Sequence, residues 1–193
     1  GIPVIVMAWP WSEGDYVATD DVQGGRLAAQ HLLTRTHRRI GIVRMAHPGH
    51  APIQARIRGF REVLASAGAG IRDDWEIQVP GTQIEDGLTA ADRLLALPTR
   101  PTALFVSSDR IALGLCHRLL SRGVRVPEDI ALVSYDDIPY AMPARVPLTT
   151  VAVPKSSRGE KAADLLFQRH DGKGTAKPRQ ILLPPELVIR ASC

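Results

Sequence analysis

Cysteine is scarce. Cys116 and Cys193 are the two cysteines in 193 residues, too few to build a disulfide framework. The expectation is therefore a reducing compartment, the cytoplasm. Long apolar runs are missing too. No stretch approaches the roughly 20 apolar residues that a membrane helix needs, so no membrane partner is expected. The opening Gly1-Ile-Pro-Val-Ile-Val-Met7 has neither a basic n-region nor a small-residue cleavage site, so it does not read as a signal peptide. Lysine is rare: 20 of the 24 basic residues are Arg. The net charge of +4 is scattered rather than clustered on one face, which argues against nucleic-acid binding by these residues alone.

The motifs of common chemistries are absent as well. There is no Gly-x-Ser-x-Gly elbow, no Walker loop and no Gly-x-Gly-x-x-Gly. Cys116-His117 falls inside a predicted helix, where consecutive side chains diverge by about 100° and cannot act as a nucleophile–base pair. His47 and His50 sit three apart, but no Cys, third His or carboxylate stands at ligand spacing nearby. The expectation is a protein that is not an enzyme, with no metal and no cofactor.

What is present is a chain able to bury a core. Hydrophobic residues make up 45% and charged residues 23%, the balance of a globular protein. Apolar strand-like runs alternate with segments of helical period. Strands are expected at Gly1–Met7, Ile40–Val43, Trp75–Val79, Pro101–Val106, Ile130–Tyr135 and Thr149–Val153. Two late strands follow at Gln180–Leu183 and Glu186–Ile189. Helices are expected from Gly24 after a cap at Asp20-Asp21, over Ile53–Ala67, Ile84–Leu97, Arg110–Ser121 and Ser156–Arg169. Several strands are apolar on both faces. The pattern implies an α/β fold with parallel sheets covered on both sides by helices.

In such sheets ligands bind beyond the carboxyl ends of the strands. The residues there are Ala8-Trp9, His47–Arg56, Gly81-Thr82, Ser107–Asp109 and Asp136-Asp137. Asp136 can orient a polar ligand by accepting two hydrogen bonds; the same Asp pair can hold Mg²⁺ or close a solvated turn. Arg56 can make bidentate contacts to a carboxylate, a phosphate or vicinal hydroxyls, or it can be a surface arginine like Arg58 and Arg61. Ser108-Asp109 reads as a helix N-cap. Leu113, Cys116, Leu120, Tyr140 and Met142 are apolar on faces the sheet does not require, and a two-fold homodimer interface is expected there.

Several motifs recur in order along the chain: Arg56-x-x-Gly-Phe60, Ser108-Asp-x-x-Ala-x-Gly114, Val126-Pro-Glu-Asp-Ile130, Ser134-Tyr-Asp-Asp-Ile138, Pro147-Leu-Thr-Thr-Val151 and Leu187-Val-Ile-Arg190. With them the whole chain resembles the effector-binding domain of LacI/GalR-type transcription regulators. The resemblance implies two doubly wound parallel-sheet lobes of the periplasmic-binding-protein-like kind, closing on a small sugar-like or nucleoside-like molecule. It places residues 1–38 and 152–176 in an incomplete amino-terminal lobe, and 39–151 and 177–193 in the carboxy-terminal lobe. Crossings would fall near His37–Arg39, Val151–Pro154 and Lys173–Pro178. Ligand contacts carry over to Arg56 and Asp136, with His50, Thr82 and Ser108 at further pocket positions. Ala8 stands where an Asp is frequent, and Trp9 beside it can line the pocket. DNA would be a partner only through a helix-turn-helix outside these residues. The alternatives are a solute-binding protein of a sugar transporter, which shares the fold, and a metal-dependent hydrolase using Asp136 and Asp137.

Overall fold

The structure is a computed structural model, and it describes residues 2–7, 9–172 and 177–193. A six-stranded sheet forms the larger lobe. Its strands are β3 (Ile40–Met45), β4 (Glu76–Val79), β5 (Ala103–Val106), β6 (Ala131–Asp136), β7 (Thr149–Ala152) and β9 (Glu186–Val188), in the order β4-β3-β5-β6-β7-β9. The first five are mutually parallel, and β9 closes the edge antiparallel to β7. A three-stranded parallel sheet forms the smaller lobe: β1 (Ile5–Val6), β2 (Asp15–Thr19) and β8 (Gln180–Leu183).

Period-two alternation divides the large sheet between two helical layers. Ile40 and Ile42 of β3, with Ala103 and Phe105 of β5, face α1 (Asp21–Thr34) and α2 (Ala51–Ser66). Phe60 of α2 stacks on Phe105, ring centroids 4.6 Å apart. Val43, Leu104 and Val106 face the other way, towards α3 (Ile84–Leu95) and α4 (Asp109–Ser121). Each helix pair packs through reciprocal glycines. A Cβ on Gly59 would lie 2.0 Å from the Val22 carbonyl oxygen, and one on Gly25 would lie 1.9 Å from that of Arg56. Gly87 and Gly114 play the same part between α3 and α4. On the small lobe, Val17 packs with Ala162 and Leu165 of α5 (Lys155–His170). Arg169 of α5 grips Asp15 through two hydrogen bonds of 2.6 and 2.7 Å.

The lobe boundaries depart from the sequence-based expectation at two places. α1 lies on the large sheet, packed along α2, so the first crossing falls at Asp20 and not at His37–Arg39. The apolar stripe Ala28, Ala29 and Leu32 fits the large sheet's core, and a helix follows its buried face. β8 pairs with β2, which puts residues 180–183 in the small lobe. The chain returns to the large sheet after Leu183, through Pro184-Pro185. The crossing expected at Lys173–Pro178 falls largely outside the described residues, as does Ala8. The middle crossing lies where β7 gives way to α5. β2 has no counterpart among the expected strands, and the expected buried strand at Gly1–Met7 reduces to the two half-buried residues of β1.

Candidate functional site

Four of the five parallel strands of the large sheet lead to a helix N-terminus at the same edge, and β6 ends there in a loop. β3 leads to His50, the N-cap of α2, whose Nδ1 accepts from the Ile53 amide at 3.4 Å. β5 leads to Ser107-Ser108 and α4, β6 ends in Asp136, and β7 leads to Lys155 at the start of α5. β2 of the small lobe contributes Thr19, and Asp20 caps α1 by accepting from the Gln23 amide at 2.9 Å. Thr19, Asp21, His50, Arg56, Asp136 and Lys155 line a cleft of about 440 Å³ at this edge.

Arg56 lies at its floor. The side chain is 11% exposed. Nε donates to Asp21 at 2.8 Å, Nη1 donates to the Ser107 carbonyl at 2.9 Å, and the Asp136 carboxylate lies 3.3 Å from Nη1. The guanidinium stacks over the Tyr135 ring at 3.7 Å. This planar fork, with a carboxylate on either side, is a geometry that arginine makes and lysine does not. No hydrogen bond ties up Nη2 among the described residues. The Tyr135 ring is buried, and its hydroxyl rests against Gly24, where a Cβ would lie 2.2 Å away.

Asp136 ends β6 at φ 110°, and Asp137 follows at φ 47°. Two successive residues outside the usual right-handed regions turn the chain sharply at the sheet edge, where Asp is better tolerated than most residues. Lys155, on the small lobe's helix, donates to the carbonyl oxygens of Asp136 and, at 3.0 Å, of Asp137. The Asp137 carboxylate turns away and pairs with Arg190 at 2.8 Å. Burial pushes the Asp136 carboxyl up to about 6, against the pull of Arg56. Burial, and then the nearby Arg56 charge, lowers the His50 imidazole.

Of the expected site residues, Trp9, His50, Arg56 and Asp136 line this cleft. Thr82 does not: it lies half-buried in a bend after β4. Ser108 occupies the N-cap position of α4, buried and outside the cleft lining, and its hydroxyl makes no hydrogen bond. Asp109 is not a cap. Its carboxylate is fully buried and accepts from Ser134 Oγ at 2.5 Å, Thr150 Oγ1 at 2.7 Å and the Ile138 amide at 2.8 Å. It thereby pins the ends of β6 and β7 to the start of α4. Sequence reasoning missed Thr19, Lys155 and Arg158 in the cleft. Only the Asp20-Asp21 doublet gave Asp21 a signal, and that signal was read as a cap.

A second, larger concavity of about 660 Å³ lies between α4, the start of α3 and the loop after Asp137. Leu113, Cys116, Leu120 and Tyr140 line it, while Met142 is exposed on the same loop outside the lining. Among the described residues no group of His, Cys, Asp and Glu is arranged to hold a metal ion. Among the described residues no helix is long and apolar enough to cross a membrane.

Residues 29–193 match the model of the periplasmic binding protein-like domain. The chain is 36% identical over 191 residues to the HTH-type transcriptional repressor PurR of Vibrio cholerae, covering 98% of this chain and 56% of that protein. It thus spans little more than half the length of such curated relatives. Among solved structures it superposes on a CelR transcriptional regulator–cellobiose complex at TM-score 0.89 and 32% identity, over 98% of this chain and 58% of that one. A LacI-family regulator of Enterococcus faecium with bound ribose superposes at TM-score 0.86 and 30% identity, over 98% and 70%. A putative LacI-family regulator of Sanguibacter keddieii reaches TM-score 0.91 at 31% identity, over 98% and 73%. With its parallel sheets, its strand-end cleft and this match over most of its length, the chain belongs to the periplasmic binding protein-like domain family, in the form found in LacI-type regulators.

Proposed function

We propose that the chain is the effector-sensing part of a cytoplasmic transcription regulator. It binds a small polyhydroxylated molecule, a sugar or a nucleoside-like compound, and catalyses no reaction. The observation that carries this is the Arg56–Asp136 pair at the strand-end cleft between the lobes. A carboxylate and a guanidinium side by side offer acceptors and donors to vicinal hydroxyls, each charge-assisted bond contributing about 1.5–3 kcal/mol. The ligands of the CelR and Enterococcus faecium structures, cellobiose and ribose, are of this class. The names of the relatives favour a regulator over a transporter's solute-binding protein.

Lys155 supplies the coupling. It spans from α5 of the small lobe to the carbonyls beside Asp136 on the large one. A ligand that bridges the lobes biases their closure through its differential affinity for the open and closed states. A DNA-reading domain in the full-length protein would sense that bias by linkage. The groove around Leu113, Cys116, Leu120 and Tyr140 would be the homodimer contact, placing the same patch on both subunits.

Calorimetric titration with ribose, cellobiose and a panel of nucleosides tests the reading. Saturable binding that weakens at least tenfold in Asp136→Asn, and is unchanged in Arg58→Ala, supports it. Affinity unchanged in Asp136→Asn counts against it.

A further inference from the structure

The charges in the cleft do not balance. Arg56, Lys155 and Arg158 face Asp21 and Asp136, and four of these five groups are engaged with one another or with backbone. Arg56 holds both carboxylates. Lys155 is held by two carbonyl oxygens. Arg158, on the small lobe's α5, makes no ion pair among the described residues, and its Nε is shielded from solvent without a hydrogen-bond partner. Thr19, at the end of β2 in the same lobe, repeats the pattern. It is 4% exposed, lines the cleft, and its Oγ1 has no partner. A donor stripped of water and left unpaired is penalised until something accepts from it. Here two such donors, one cationic, border the same cleft.

We propose that Arg158 and Thr19 form a subsite for a negatively charged group on the ligand, a carboxylate or a phosphate ester, so that the cleft selects acidic polyhydroxylated molecules over neutral ones. The inference rests on the cleft being the effector site. Arg56 and Asp136 on the large lobe hold the hydroxyls, while Arg158 and Thr19 on the small lobe take the anion. An anion there satisfies both orphaned donors and cancels the surplus positive charge. It also contacts the small lobe, so a charged ligand closes the lobes more strongly than its neutral counterpart.

The test uses inorganic phosphate, glucose, glucuronate and glucose 6-phosphate as calorimetric probes of the 193-residue chain. Phosphate should bind saturably in the millimolar range. Arg158→Ala should weaken it at least tenfold, Arg158→Lys less, and Thr19→Val severalfold, while Arg58→Ala, on an exposed helix face, leaves it unchanged. Glucuronate or glucose 6-phosphate should bind at least tenfold more tightly than glucose, and the tighter of the two identifies the anion as carboxylate or phosphate. Thermal melts confirm that each variant is folded. Phosphate affinity unchanged in Arg158→Ala, or an equal loss in Arg58→Ala, overturns the subsite. Should glucose bind in a way that depends on Asp136, with no preference for the acidic probes, the cleft stands and the anion subsite falls. Should Asp136→Asn leave every sugar probe unaffected, it is the cleft assignment that fails.

Discussion

Arg56→Ala removes the centre of a buried charge network. Arg56 and Asp21 are 11% and 7% exposed and meet at 2.8 Å. Deleting one member of such a pair leaves the other charge buried and unpaired, at a cost of about 3–5 kcal/mol. Asp136 adds little to that figure, because it sits 3.3 Å away with 30% of its side chain exposed and water screens it. At about 2–4 °C per kcal/mol for a chain of this size, Tm should fall by about 6–20 °C. Arg56→Lys should fall between wild type and Arg56→Ala: it keeps the charge but loses the planar fork that bonds Asp21 and Ser107 and stacks on Tyr135. The network also predicts non-additivity. Asp21→Asn should cost much less in the Arg56→Ala background than in wild type, with an interaction energy of about 1–3 kcal/mol. The pH dependence has a definite sign. Burial already raises the Asp136 carboxyl against the pull of Arg56; without that pull the native state holds a proton that the unfolded state has lost, and stability falls as pH rises. The deficit of Arg56→Ala should therefore be larger at pH 7 than at pH 5. Urea denaturation of wild type, the three single variants and the double variant at both pH values measures all of this. A loss below about 1 kcal/mol, or additivity within about 0.5 kcal/mol, would refute the view of Arg56 as the keystone of the floor.

Three further outcomes are expected. With its pKa raised from 3.8 to about 6, Asp136 should lower native stability as pH rises from about 4 to 6, by about 1–2 kcal/mol once its partial exposure is allowed for; affinity for a neutral sugar should fall below pH 6 as the carboxylate acceptor is lost, and Asp136→Asn should flatten both profiles. Gly59→Ala places a Cβ 2.0 Å from the Val22 carbonyl, so α1 and α2 must separate, and the urea midpoint should drop by the equivalent of about 1–3 kcal/mol; a stabilised variant would contradict the glycine contact. Leu120→Asp in the apolar groove should shift the particle towards the 21.0 kDa monomer in light scattering, and a wild-type chain already monomeric at high concentration would remove the dimer reading.

The alternation of apolar runs and helical periods was enough to specify the large sheet. Its strands are buried on both faces, and runs such as Ala131-Leu-Val133 and Ala103–Val106 carry that burial in their composition. The strand ends followed from the same reasoning, and with them Arg56 and Asp136. β2 was not legible, because Asp15-Tyr-Val-Ala-Thr19 opens on a charged residue and ends on a polar one, and its burial comes from pairing with β8 and packing of Val17 on α5. The placement of α1 was not legible either. An apolar stripe fixes which face a helix buries but not which sheet it meets, and reciprocal glycine contacts with α2 decided that. Asp109 reads as a cap in any window of local sequence, since its partners Ser134, Ile138 and Thr150 lie 25 to 41 residues away. The cleft divides the same way. The large-lobe half lies beside motifs readable in sequence, whereas Thr19, Lys155 and Arg158 come to face it only because β2 and α5 are folded across from those strand ends. Local periodicity sets elements and faces; which distant side chains share a cleft is set by chain crossings, and these depend on packing between residues far apart in sequence.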